Sequence, residues 1–239
     1  MFLGSTLTNL NIHATDGEIG KLKDLYFNDN WELQFIIVDT RKWLPGKKAL
    51  LPFYVQEEIN LEEEYIKVDR DKETIRQSPK APEDNELISS YQGAVLDYFG
   101  WNSYKENAVL DSDHGPVTTG DGKLQNTNVP PEPDLAAPDI STDNLRSMEE
   151  FMSFKVHAKD GKIGIVDNII LTEDGKIQYL VVNSNESYVE NSLYLYRTEQ
   201  VTSVDWFEED LYLDDSVQGL EQVTPFKNND EVFHHLNHS

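Results

Sequence analysis

One segment of 28 residues occurs twice, 144 positions apart: IHATDGEIGKLKDLYFNDNWELQFIIVD at 12–39 and VHAKDGKIGIVDNIILTEDGKIQYLVVN at 156–183. Eight aligned positions are identical, among them His13/His157, Asp16/Asp160, Gly17/Gly161 and Gly20/Gly164. Average residue usage would give roughly two. Most other pairs keep their apolar or polar character, as in Leu25/Ile169 and Phe35/Tyr179. Internal repetition of this kind means that one supersecondary unit is built twice. A chain of 239 residues then divides into two small units. Each, at about 75 residues, is near the lower limit for burying an adequate core.

Within each unit the apolar runs are short and separated by turn chemistry. Asp16–Gly17 and Asp160–Gly161 read as hairpin turns, with glycine supplying a positive φ. Strands are expected at Ile19–Phe27, Leu33–Val38, Ala49–Phe53 and Tyr65–Val68, and in the second unit at Ile163–Leu171, Ile177–Val182, Leu193–Tyr196 and Leu211–Leu213. Leu44-Pro45-Gly46-Lys47 has the form of a type II turn. Strands of this length and spacing predict a small antiparallel barrel or sandwich, made twice.

The period changes over Pro82–Gly100. Leu87, Tyr91, Ala94 and Tyr98 recur at helical spacing beside Ile88, Val95 and Phe99, which predicts a helix with one apolar face. Residues 107–144 are rich in Pro, Gly, Asp, Asn and Thr and read as a flexible acidic linker. Ser147-Met148-Glu149-Glu150 has the form of a capping box, a short helical lead-in to the second unit. The expected organisation is 1–80 first barrel, 81–106 helix and extension, 107–144 linker, 145–226 second barrel and 227–239 a loose tail.

The Asp-Gly-Glu-Ile-Gly run with Phe35-Ile36-Ile37-Val38-Asp39-Thr40-Arg41, Trp43-Leu44-Pro45-Gly46-Lys47-Lys48 and Ser78-Pro79 resembles the PRC-barrel family. That family is named for the cytoplasmic domain of the photosynthetic reaction centre H subunit and also includes the C-terminal domain of a ribosome maturation factor. The resemblance covers about 5–79 strongly and 145–225 more weakly. It implies tandem PRC-type barrels that bind proteins rather than catalyse, as in stand-alone bacterial members. The H subunit's N-terminal membrane helix and the ribosome factor's separate N-terminal domain have no counterpart in this sequence.

Composition narrows the partners. With 44 acidic and 20 basic side chains the formal net charge is −24, which opposes phosphate backbones and anionic membrane. No cysteine is present, so disulfides and thiolate chemistry are excluded. The sequence has no signal peptide or membrane span, so a cytoplasmic location is expected. No phosphate loop, nucleophile elbow, zinc-protease signature or dinucleotide fingerprint occurs, and no enzyme is expected. Neither a cofactor nor a metal site is expected. His234, His235 and His238, although at a spacing that could hold a metal, lack matching carboxylates, and Asp111, Asp113 and Asp121 lack the ligand order of a calcium loop. The repeated His13 and His157 are expected to hydrogen-bond locally.

Two surfaces stand out as candidates. Arg41, Lys42, Lys47 and Lys48 around Trp43 form the basic cluster of an acidic chain, with Glu186 and Glu190 in the corresponding stretch of the second unit. The Leu87/Tyr91/Val95 stripe is a candidate for self-association into a homo-oligomer. Acids at Glu57, Glu58, Glu62, Glu63 and Glu64, and at Asp205, Glu208, Glu209, Asp210, Asp214 and Asp215, read as a solvated edge that also offers a docking face. The resulting expectation is a non-enzymatic adaptor or scaffold with a protein partner. A sensor binding a small ligand or metal between the barrels is the second reading, and a ribosome- or photosynthetic-complex-associated factor the third.

Overall fold

The computed structural model describes residues 1–40, 48–79, 82, 88–100, 144–184, 192–220 and 223–238. The first unit runs β1 (Phe2–Leu3), α1 (Gly4–Leu7), β2 (Asn11–Ala14), β3 (Gly17–Phe27), β4 (Leu33–Asp39), β5 (Lys48–Pro52), β6 (Gln56–Asn60), β7 (Tyr65–Val68), α2 (Lys72–Gln77) and α3 (Ile88–Phe99). The second repeats it as β8 (Arg146–Ser147), α4 (Met148–Phe151), β9 (Lys155–Ala158), β10 (Gly161–Leu171), β11 (Ile177–Asn183), β12 (Leu193–Arg197), β13 (Val201–Asp205) and β14 (Asp210–Leu213), followed by α5 (Val217–Leu220) and α6 (Asn229–His238). The chain is mostly β, in two seven-stranded sheets of matching order: β5-β4-β3-β2-β7-β6 and β12-β11-β10-β9-β14-β13.

Two expectations about these sheets are corrected. The strands do not close into hydrogen-bonded barrels, because a 3-10 turn (Phe53–Val55, Thr198–Gln200) separates β5 from β6 and β12 from β13 where a hairpin would have paired them. The sheets are also not wholly antiparallel: β2 runs parallel to β7, and β9 to β14. Strands β6 and β13 are absent from the sequence reading. As edge strands they carry Gln-Glu-Glu-Ile-Asn and Val-Thr-Ser-Val-Asp, and charged or polar residues at a sheet edge erase the alternation that marks a half-buried strand.

The repeated glycines have a steric cause. A Cβ on Gly20 would stand 2.1 Å from the Asp39 carbonyl oxygen, and one on Gly164 would stand 2.1 Å from that of Asn183. Long strands β3 and β10 pass so close to their neighbours, beside a register shift in each, that no side chain fits. Gly17, at φ +131°, closes the β2–β3 hairpin.

The two units exchange their leading segments. β1 of the first unit pairs with β10 of the second (Phe2↔Leu171, Leu3↔Ile170), and β8 pairs with β3 of the first (Arg146↔Phe27, Ser147↔Tyr26). Replacing each residue by its equivalent 144 positions away in the other unit turns one register into the other, so the exchange is reciprocal to the residue. At its centre the equivalent residues Glu32 and Lys176 form an antiparallel bridge with an ion pair of 3.6 Å. Leu33 N donates to Gly175 O (2.9 Å) and Ile177 N to Trp31 O (2.8 Å) on either side of it. One core cluster consequently joins both units, taking Leu25, Phe35 and Leu50 from the first and Phe151, Ile169 and Leu180 from the second, all under 2% exposed. Each such side chain contributes about 1.5–3 kcal/mol by leaving water.

Helix α3 lays Ile88, Gln92, Val95 and Phe99 into this chain's own core, an i, i+4, i+7, i+11 face. Gly100, at φ +85°, ends it as expected. The expected loose tail is corrected: Asn229–His238 is helical, and Val232 is fully buried against Leu3, Ile170 and Val181. Its short amphipathic pattern among four polar neighbours at 227–230 conceals the helix in sequence. The expected linker, 107–144, lies outside the described residues except for Asn144. No helix among the described residues is long and apolar enough to cross a membrane.

Candidate functional site

Of the basic-loop residues, Lys48 begins β5 opposite Asp39 and is partly buried. Arg41, Lys42, Trp43 and Lys47 lie outside the described residues. On the helix, Tyr91 is partly buried, Val95 is fully buried among the chain's own core residues, and Leu87 lies outside the described residues. The buried side of α3, made by Ile88, Gln92, Val95 and Phe99, shares Val95 with the expected stripe.

The repeated polar residues are engaged locally. His13 stacks on Tyr65 (centroids 5.0 Å apart) and His157 on Tyr212 (5.2 Å). His157 Nε2 also lies 3.0 Å from Asp210 Oδ1, and this hydrogen bond holds the Asp210 carboxyl below its ordinary pKa, with Lys155 assisting. Asp16 accepts from Lys72 N (2.9 Å) at the start of α2, and Asp160 accepts from Val217 N (2.7 Å) at the start of α5. Several of the acids are likewise paired or capping: Glu57 with Lys67 (2.8 Å), Glu58 with the Tyr65 hydroxyl (3.0 Å), Asp214 with Lys159, and Asp205 with the Phe207 and Glu208 amides. Among the described residues no group of three or more His, Asp or Glu could hold a metal ion.

Two equivalent positions hold the exchanged segments. Asp24, 3% exposed, accepts from the Ser147 hydroxyl (2.6 Å), Glu149 N (3.0 Å) and Leu25 N (2.8 Å). Its counterpart Asn168 accepts from Ser5 N (3.2 Å) and Ile169 N (3.0 Å) and donates to Ser5 Oγ (2.6 Å). Ser147 also caps α4 by accepting from Glu150 N (3.1 Å), as the capping pattern predicts. Burial raises the Asp24 pKa, and the hydrogen bonds from Ser147, Glu149 and Leu25 oppose that rise without cancelling it. The neighbouring Tyr26 hydroxyl is pushed up as well, by burial first and then by the Asp24 charge.

Sequence reasoning overlooked a cleft at the junction of the units. It encloses about 380 Å³ between Phe27, Asp29 and Trp31 of the first unit and Arg146, Ser203 and Trp206 of the second. The Arg146 guanidinium lies over the Trp206 ring, 4.4 Å from its centroid, while Asp29 Oδ1 stands 3.9 Å from Arg146 Nε, beyond hydrogen-bond reach. Nε is buried, and no described residue accepts its hydrogen bond. Phe27, Trp31, Phe151, Phe154 and Trp206 form a continuous aromatic cluster beneath, with centroid separations of 5.2–6.2 Å.

Duplication supplies an internal comparison for this cleft. The counterparts of Arg146, Phe27 and Trp31 are Phe2, Leu171 and Gly175, and at an offset of 145 that of Trp206 is Leu61. Trp31 and Gly175 both sit in the left-handed region, at φ +64° and +86°. Glycine adopts that conformation freely, whereas a tryptophan there costs about 1–2 kcal/mol. The signal was therefore present in the sequence: a bulky aromatic replaces the turn glycine of an otherwise similar repeat. Beside the cleft, at the tip of the β13–β14 hairpin, Phe207 is 91% exposed between Asp205, Glu208 and Glu209.

No curated protein matches this chain. The family model of the PRC-barrel domain matches residues 1–75, which span the first unit from β1 into α2. Residues 1–75 are thus similar to a PRC-barrel domain, and a second unit of the same strand order follows them in the same chain.

Proposed function

We propose that the protein is a non-enzymatic adaptor built from tandem PRC-barrel-type units, and that it binds another protein. The observation that carries this reading is the acidic hairpin tip with Phe207 standing 91% exposed on it. An exposed aromatic ringed by carboxylates suits a partner that offers an apolar pocket within a basic rim, which also fits the net charge of −24. The outer edge of β13, with which no described strand pairs, lies next to it and adds backbone donors and acceptors. The loop holding Arg41, Lys42, Trp43, Lys47 and Lys48 is a second candidate surface.

Affinity capture of the tagged protein from its host, beside a Phe207→Ser copy and a copy with Lys47 and Lys48 reversed to Glu, tests the proposal. A discrete protein lost with one altered copy supports an adaptor and places its surface. Equal recovery from all three removes both surfaces, and recovery of the protein alone removes the adaptor reading. The aromatic cleft between the units favours a second reading, a sensor that binds a small ligand there.

A further inference from the structure

We infer that the cleft between Trp31 and Trp206 takes a small, flat, uncharged ring compound bearing a carbonyl oxygen, which accepts the hydrogen bond of Arg146 Nε. The inference rests on the ligand-binding reading above and gives it a chemistry. Four observations converge. The cleft, at about 380 Å³, is within the size of small-molecule sites and large enough for a bicyclic ring. Its lining includes Phe27, Trp31 and Trp206 among polar residues such as Asn28, Thr202 and Ser203, and that aromatic surface favours a planar occupant. The buried Nε–H has no acceptor among the described residues, and a buried donor left unmatched is a standing cost that a bound oxygen removes. The same junction made with Gly175, Phe2 and Leu61 has neither indoles nor guanidinium, so the aromatic version is a departure of one repeat rather than a need of the fold.

Charge selects among flat rings. Arg146 and Asp29, 3.9 Å apart, together carry no net charge, and the chain as a whole carries −24. An anionic ligand would meet Asp29 and the field of the protein. A cationic ligand would meet Arg146, whose guanidinium already covers the Trp206 face. A neutral carbonyl satisfies Nε without disturbing either ion.

The test is a titration of the ¹⁵N-labelled full chain with three unlabelled bicyclic probes that differ in charge: indole-3-acetamide, indole-3-acetate and tryptamine. The indole N–H resonances of Trp31 and Trp206, assigned from Trp31→Phe and Trp206→Phe, report the site. Saturable shifts of both with the amide, at least tenfold weaker with the carboxylate and the amine, are expected. Arg146→Met keeps an apolar stem over Trp206 and should weaken the amide about fivefold, the worth of one net hydrogen bond, with thermal unfolding confirming its fold. Preference for either charged probe, or an unchanged amide affinity in Arg146→Met, overturns the inference while leaving a ligand site in place. If no probe moves either resonance, both the inference and the sensor reading fall.

Discussion

Asp24 should be replaceable by asparagine and not by alanine, and the second repeat supplies the reason. Asn168 does the same work at the equivalent position: its Oδ1 accepts two backbone N–H groups and its Nδ2 donates to the Ser5 hydroxyl at 2.6 Å. In Asp24→Asn, Oδ1 keeps the bonds from Glu149 N and Leu25 N, while the Ser147 hydroxyl turns from donor to acceptor. Asp24→Ala instead strands one buried and one part-buried amide, each at about 1–3 kcal/mol, so a loss of about 2–6 kcal/mol is expected once the hydroxyl has found another acceptor. The wild-type carboxyl has its pKa raised chiefly by burial, so the folded protein holds this proton to higher pH than the unfolded chain does. Its contribution to stability is full below pH 3.8 and is lost as pH rises through the folded pKa. Each tenfold difference in proton affinity between the folded and unfolded chain is worth about 1.4 kcal/mol. Urea unfolding from pH 4.5 to 8, read as the difference between variant and wild type at each pH, cancels the titration of the other acids. Asp24→Asn should gain on the wild type with rising pH and match or exceed it at pH 7.5. An asparagine variant more than 1 kcal/mol less stable there, or a difference flat in pH, would refute the reasoning.

The remaining expectations address the packing and the exchange. Gly20→Ala and Gly164→Ala should each cost about 3 kcal/mol in urea unfolding, since each Cβ would stand 2.1 Å from a carbonyl oxygen that belongs to a paired strand. Co-expressed fragments 1–100 and 144–239 should co-elute as one particle on size exclusion, because each carries a lead whose pairing strand is on the other; independent elution would contradict the reciprocal pairing. Phe207→Ser should leave stability within about 0.5 kcal/mol, since the ring is 91% exposed, so any loss of partner capture by that variant is loss of contact rather than of fold.

Much of the architecture is legible because it rests on local chemistry. The Asp-Gly hairpins, the alternating or continuous apolar runs of β3, β4, β10 and β11, and the Ser147 cap each need only a few adjacent residues to be recognised. The edge strands escaped because polar edges leave no apolar period, and α6 escaped because its one buried anchor, Val232, depends on β1 and β11 being beside it. For the candidate site the balance reverses. Lys48 and Tyr91 stand out in the sequence as charge and periodicity, whereas the Trp31–Arg146–Trp206 cleft joins residues 115 and 60 positions apart in turn.

The sequence by itself determined that one β-rich unit is made twice, since hairpin glycines and strand periods are short-range signals that duplication repeats in register. Only the tertiary structure decided that the copies are not two beads on a string. Their leads cross over, Asp24 and Asn168 fasten them, and Glu32 meets Lys176 between them, because pairing across 119 or more positions leaves no periodic mark on either partner.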